Sequence, residues 1–313
     1  MTDSARMSHA QALAAMVAVT LMWSIAGVVT RWLETDNGLS MTFWRSSFNA
    51  VALGLMLLVL RGPRRLAAIL REGGSALWLS GACWAVMFTA FMVALTLTDV
   101  ANVLITLAMA PLFTALIART VLGVRQPTRT WVAIAVAGVG IVGMFISDLS
   151  VGEHEHVLGM GVALAVPLAA AINWSTIQHT TGRPTGAKSD LMPAVLIGAV
   201  LSAVLVLPWA QPLQVSASDV AWLGLLGVVQ LAIPCLLAVS AARVLSAPEV
   251  SLIALLEVVF GVAWAWLLTT EAPRVEVLIG GGLVLGALVF NESLALRARQ
   301  RAAVLSGQRK GVV

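Results

Sequence analysis

The feature that most constrains this chain is a succession of long apolar runs broken by short polar connectors. From Ala10 to Trp32 the only formal charge is Arg31. Similar runs cover Met41 to Leu60, Ser75 to Leu95, Val100 to Ala118 and Trp131 to Ile146. After an acidic break they resume over Val157 to Ile177, Asp190 to Trp209, Asp219 to Val244, Val250 to Thr270 and Glu276 to Leu296. A membrane-crossing helix needs about 20 mostly apolar residues. The pattern therefore predicts an all-α integral membrane protein of ten transmembrane helices. Composition agrees, because 59% hydrophobic and 11% charged residues cannot supply the polar coat of a 313-residue soluble globule. A soluble enzyme and a disordered chain are both excluded. The first run outlasts a signal-peptide core and ends without a small-residue cleavage site, so it is expected to remain as a helix.

Basic residues set the expected orientation. Sixteen of the 19 lie at one face: Arg6; Arg61, Arg64, Arg65 and Arg71; Arg119, Arg125 and Arg129; Arg183 and Lys188; Arg243; and five from Arg297 to Lys310. The opposite connectors hold Arg31 and Arg274 but collect acids, among them Glu34, Asp36, Asp99, Asp148, Glu153, Glu155, Asp219, Glu271 and Glu276. Both termini are thus expected in the cytoplasm of a bacterial inner membrane. The arginines are dispersed over short connectors, which argues against a nucleic-acid surface. Trp32, Trp78, Trp131, Trp209 and Trp222 fall at span ends, where an indole suits the headgroup layer; Trp23, Trp84, Trp174 and Trp264 fall deeper and must pack between helices or face a cavity.

Divided at Asp148 to His156, the two halves correspond. Leu21-Met22-Trp23-Ser24 in the first helix matches Ile172-Asn173-Trp174-Ser175 in the sixth, and Ala110-Pro111 aligns with Glu257-Val258. Five helices per copy make the second copy enter the membrane in the opposite sense, the inverted repeat that transporters use. The expected units are 1–146, an acidic external connector 147–156, 157–296, and a basic tail 297–313.

VANVLITLAMAPLF from Val100 to Phe113 and TVLGVRQPTRTWVAIAVAGVGIVGM from Thr120 to Met144 resemble the fourth and fifth helices of bacterial EamA-type proteins. APEVSLIALLEVVFGVAWAWLLTTEAP from Ala247 to Pro273, with the following LIGGGLVLGALV, resembles the second unit of that family, which belongs to the drug/metabolite transporter superfamily. The resemblance implies two inverted five-helix repeats, a central cavity and alternating access. It also implies a permease that exports amino acids or related compounds. Two departures stand out. Gly123 is followed by Val124 and Arg125 where the family often has Gly-Glu, and Val258 stands where proline often follows the glutamate.

Two ionisable residues lie inside spans. Glu257, seven residues into the ninth, has apolar neighbours on both sides. A charge there costs about 2.5–3.5 kcal/mol, so it should face a cavity, find a partner or be protonated. It could contact a substrate ammonium, couple a proton, or make a structural hydrogen bond. Arg45, one turn inside the second span, could grip a carboxylate through its guanidinium or snorkel to the surface. A direct Arg45–Glu257 pair is not expected, since their depths differ. Asn102, Thr106, Met109 and Phe113 recur at helical spacing and are expected to line the cavity; Asn173, Trp174 and Gln230 add polar and aromatic surface. The candidate substrate contacts are Trp23, Arg45, Asn102, Thr106, Asn173, Trp174, Gln230 and Glu257.

Other motifs carry less. Gly138-Val-Gly-Ile-Val-Gly143 lacks the strand a dinucleotide fold requires and reads as close helix packing, as does the Gly282 to Gly286 spacing. Pro111, Pro167, Pro193 and Pro234 should kink or break their spans. Glu153-His154-Glu155-His156 reads as a solvated loop, and Cys83 and Cys235 as buried thiols. No Walker or serine-elbow sequence is present, so no cofactor, metal or ATP drive is expected; transport would use a proton or counter-substrate gradient. A membrane-embedded enzyme acting through Glu257 or His179, and a non-transporting scaffold, are the alternatives.

Overall fold

The computed structural model describes residues 7–120, 127–129, 131–133, 135–136, 138–140, 143, 154–181, 190–245, 247–270, 275–276, 278–287, 289–290, 293–294 and 297. Every regular element among them is helical. Six helices are long and apolar enough to cross a membrane: His9–Arg31, Gly38–Arg61, Ser75–Leu97, Val100–Ile117, His154–Ile177 and Ala217–Ala241. Trp131–Gly140, Pro193–Val206, Ile253–Leu268 and Leu278–Ala287 are shorter apolar helices. The family-pattern glycine at Gly123, with Val124, Arg125 and Glu271, lies outside the described residues.

The first span is α1 (His9–Ser24) and α2 (Ala26–Arg31), started by a capping box in which Ser8 and Gln11 exchange bonds of 3.2 and 2.8 Å. α3 (Gly38–Arg61) is the second, capped by Asn37. It stops at Gly62, whose φ of 75° suits only glycine, and Pro63 then opens α4 (Pro63–Glu72). α4 is absent from the sequence expectations. Its Leu66 and Ile69 are buried while Arg64, Arg65 and Arg71 are exposed, so a connector read by its charge is an amphipathic helix.

α5 (Ser75–Leu97) is the third span, and α6 (Val100–Leu107) with α7 (Ala110–Thr120) the fourth. α8 (Trp131–Gly140) follows, then α9 (His154–Ala163) and α10 (Ala165–Thr181). α11 is Pro193–Val206, and α12 (Ala217–Leu225) passes through a π-helical segment, Leu226–Ala232, into α13 (Ile233–Ala241). α14 (Ala247–Leu268) and α15 (Leu278–Ala287) complete the described helices. Pro111, Pro167 and Pro234 accompany three of the breaks within spans, whereas Pro193 opens α11 and does not kink a span as expected. Pro111, Pro167, Pro193 and Pro234 each sit in the first turn of a helical piece, where a missing N–H costs nothing.

α5 is the central helix, packed on α3, α9, α10 and α11. Its approach to α11 depends on two glycines: a Cβ on Gly198 would lie 3.0 Å from Ala85 N and Gly81 O. Ser202 Oγ, 2.9 Å from Ser46 Oγ and 2.8 Å from Thr89 Oγ1, ties α11 to α3 and α5. Of the three glycines from Gly138 to Gly143, Gly140 approaches Gly280 closely, a Cβ there lying 2.7 Å from the Gly280 carbonyl, whereas Gly138 and Gly143 have nothing within 4 Å among the described residues. Gly282 and Gly286 face open space, so the packing face of α15 is Gly280 and Gly281 rather than the expected pair. At the end of the bundle carrying Glu34, Asp219 accepts from the amides of Glu34 and Thr35 at 2.9 and 3.1 Å, and Arg31 donates to the carbonyls of Leu95 and Thr98. Trp32 and Trp222 meet there at 5.3 Å, while Trp78 and Trp209 are exposed, as expected of interfacial anchors.

Candidate functional site

A cavity of about 920 Å³, its open mouth included, lies among α1, α3, α5, α6, α7, α10, the π segment, α13 and α14. The helix breaks converge on it. Ala108 and Pro111 flank the α6–α7 break, Val166 and Pro167 follow the α9–α10 break, and Gln230 and Leu231 lie in the π segment. Non-helical or π geometry frees backbone groups and widens the space between spans, which a bilayer tolerates only where the backbone faces protein or a cavity.

The wall is mostly aromatic and aliphatic. Trp84, Met87, Phe88 and Phe91 are successive positions of one α5 face. Trp84 stands edge-on to Trp174 at 6.0 Å and lies 5.5 Å from Phe88, joining α5 to α10 across the cavity. Its Nε1 is buried and has no partner among the described residues. Trp23 lines the cavity one residue before the end of α1.

Arg45 enters this apolar wall from α3 and is fully buried. Nη2 donates to the Phe88 carbonyl at 2.9 Å, and the guanidinium carbon lies 5.7 Å from the Phe91 ring centre. Nε and Nη1 have no partner among the described residues. Arg45 therefore does not snorkel; α5 holds it through one nitrogen and leaves two donors unused. Gln230 donates to the Trp23 carbonyl at 3.4 Å and keeps its Oε1 unpartnered. Glu257, half-buried on α14, also lines the cavity, and no ion pair joins it to Arg45. Cys235, a fully buried free thiol, is within electrostatic reach of both Arg45 and Glu257. The lining thus brings the polar side chains of Arg45, Trp84, Gln230 and Glu257 together with aromatic surface.

Five of the expected contacts come together here: Trp23, Arg45, Trp174, Gln230 and Glu257. Three do not line it. Asn102 donates to Thr98 Oγ1 at 3.1 Å, Thr106 donates to the Asn102 carbonyl at 2.7 Å, and Asn173 accepts from Ser80 at 2.6 Å; all three are fully buried in helix packing. The fourth span turns the opposite side to the cavity, through Leu104, Leu107, Ala108 and Pro111, so the Asn102–Thr106–Met109–Phe113 stripe is not the lining face. The helix break at Ala108 and Met109 also interrupts the register on which that stripe was drawn. The α5 stripe was the missed signal: positions 84, 87, 88 and 91 have the spacing of a single helix face. His179, exposed in the last turn of α10, does not line the cavity, nor do His154 and His156, which open α9 rather than lying in the solvated loop expected there. Among the described residues no cluster of three or more metal-ligating side chains forms.

Comparison with known proteins gives a consistent picture. The profile described as the EamA-like transporter family matches the chain twice, over residues 10–146 and 157–292. Among curated proteins none matches. A solved crystal structure, described only as that of a protein, is similar at a TM-score of 0.63 and 19% identity, covering 93% of this chain and 99% of that one; the likeness is one of fold.

Proposed function

The chain is a multi-pass membrane protein that belongs to the EamA-like transporter family, and on that premise we propose that it is a secondary transporter exporting amino acids or related zwitterions by alternating access. The proposed setting is a bacterial inner membrane with both termini cytoplasmic, as the distribution of basic residues favours. Ten spans in two inverted repeats, 1–146 and 157–296, are the proposed architecture. The double family match and the four shorter apolar helices beside the six long ones support it.

The observation that carries the substrate class is Arg45. A buried guanidinium whose Nε and Nη1 make no hydrogen bond among the described residues offers a carboxylate charge-assisted bonds. Glu257 and the indole faces of Trp23 and Trp174 offer an ammonium both a carboxylate and π surfaces. A molecule carrying both charges on an apolar body satisfies Arg45 and Glu257 at once. Asn102, Thr106 and Asn173 act in this reading as supports of the cavity helices. Glu257 is also the proposed coupling group, exchanging a proton or counter-substrate for cargo. A thermal-shift screen of the purified protein against a metabolite library tests the class. Zwitterionic amino acids should raise the melting temperature, and stabilisation by uncharged analogues alone would overturn it.

A further inference from the structure

One cluster of charged side chains lies outside the cavity. Asp190 Oδ2 accepts from Arg61 Nε at 2.8 Å and Oδ1 from Arg243 Nη2 at 2.7 Å. Met192 completes it, its amide donating to Asp190 Oδ1 at 3.2 Å and its sulfur accepting from Arg61 Nη2 at 3.5 Å. The carboxylate side chain is 10% exposed, so water competes weakly for either arm.

The two arms are not equivalent. Arg61 ends α3 with its side chain 18% exposed, and Leu57, Leu191 and Met192 around it and Asp190 belong to the main apolar core. Arg243 is 36% exposed and lies between Ala241 and Leu245, which join Ala12, Met16, Val19, Ala238 and Val250 in a second, separate apolar cluster. The Arg61 arm therefore lies within the main core, while Arg243 sits at the seam where α13, which gives Cys235, Leu236 and Val239 to that core, passes into the second cluster. Trp23 and Trp174 pack against both clusters and also line the cavity, so the seam reaches it. The span that carries Arg243 is jointed. Its π segment, Leu226–Ala232, and Pro234, which has no N–H, separate α13 from α12.

We propose that the Arg243–Asp190 bridge is a releasable latch that closes this end of the bundle, and that on its release α13 pivots about the π segment, moving the cavity wall at Cys235. The latch serves alternating access and so rests on the transport function proposed above. Arg61 is its fixed anchor, keeping the carboxylate ionised and oriented while Arg243 leaves. The exposure difference between the arms and the joint in the span that carries Arg243 assign mobility to Arg243.

Cavity access tests the latch without any substrate. A cysteine introduced as Ala254→Cys on the cavity wall is exposed to a small membrane-impermeant methanethiosulfonate applied from the latch end. The chain with its two native buried cysteines serves as background. Asp190→Asn, or Arg243→Gln where the first variant fails to fold, should raise the labelling rate from that end about tenfold or more, as a shift in a two-state equilibrium requires; rates within about twofold of the parent would overturn the latch. Arg61→Gln, which leaves the bridging arm in place, should raise it less. A short bifunctional thiol reagent joining Asp190→Cys to Arg243→Cys should stop counterflow until reduced, and flux that persists through the cross-link would also overturn it. Faster labelling in a chain that carries no amino acid would support the latch and refute the transport reading.

Discussion

Replacing Arg45 by methionine should make the empty protein more stable and the transporter inactive. The guanidinium is fully buried, with one charge-assisted bond to the Phe88 carbonyl and one ring contact with Phe91. These contribute about 1.5–3 and about 0.5–2 kcal/mol. Against them stand the removal of a charge from water, several kcal/mol per ion, and two donors without a partner among the described residues. The Phe88 carbonyl lies inside α5 and retains its helical bonding when Arg45 is removed. Methionine replaces the stem as far as Nε and leaves only the space of the guanidinium head, so the balance favours the variant by about 1–4 kcal/mol, as in other replacements of buried charge. For a chain of this size each kcal/mol moves the melting temperature by roughly 2 °C, giving a rise of roughly 2–8 °C in detergent. Loss of the charged partner should weaken carboxylate binding by about 2–5 kcal/mol, or at least about 30-fold, and abolish ligand-induced stabilisation. A variant that melts below the parent and still carries amino acids would refute this account of Arg45.

Glu257→Gln should abolish or uncouple gradient-driven flux in proteoliposomes; unchanged flux and pH dependence would remove Glu257 from the coupling step. Gly198→Val should destabilise by at least about 1–3 kcal/mol, because its Cβ meets Ala85 N and Gly81 O at 3.0 Å and only backbone movement can relieve the contact; fluorescence-detected melting measures it. Burial pushes the Asp190 carboxyl up, but the Arg61 hydrogen bond, the charges of Arg243 and Arg61 and the Met192 amide outweigh it and hold the carboxyl below its ordinary value. A carboxyl lowered on folding stabilises fully above its unfolded value of about 3.9, and that contribution is lost as pH falls through the folded value. Melting temperature should therefore drop on acidification below about pH 4 in the parent, with this part of the drop absent in Asp190→Asn.

Much of the architecture was legible because apolar runs of membrane length have few alternatives. The breaks were half legible. Pro111, Pro167 and Pro234 stand at the breaks expected of them while Pro193 opens a helix, whereas the π segment at Leu226–Ala232, packed against α3, has no composition of its own. α4 was hidden because four arginines near Leu66 and Ile69 read as topology before they read as a helix face. At the site, Arg45 and Glu257 stood out because an ionisable group in an apolar span needs a reason. Uncharged polar residues gave no such discrimination. Asn102, Thr106 and Asn173 each make a hydrogen bond within or between helices, and Asn173 Nδ2 is left without one among the described residues. The aromatic lining was obscured for a further reason: in a bilayer both the lipid face and the cavity face are apolar, so Phe88 and Phe91 resemble lipid-facing residues until the neighbouring helices are placed.

The central claim is that cargo crosses through the cavity between Arg45 and Glu257. Counterflow of a labelled zwitterionic amino acid, chosen from the stabilising ligands, into proteoliposomes preloaded with the unlabelled compound tests it most directly. The account predicts transient accumulation in the parent and none in Arg45→Met. Equal accumulation in both proteins, or none in the parent with any stabilising ligand, would contradict it.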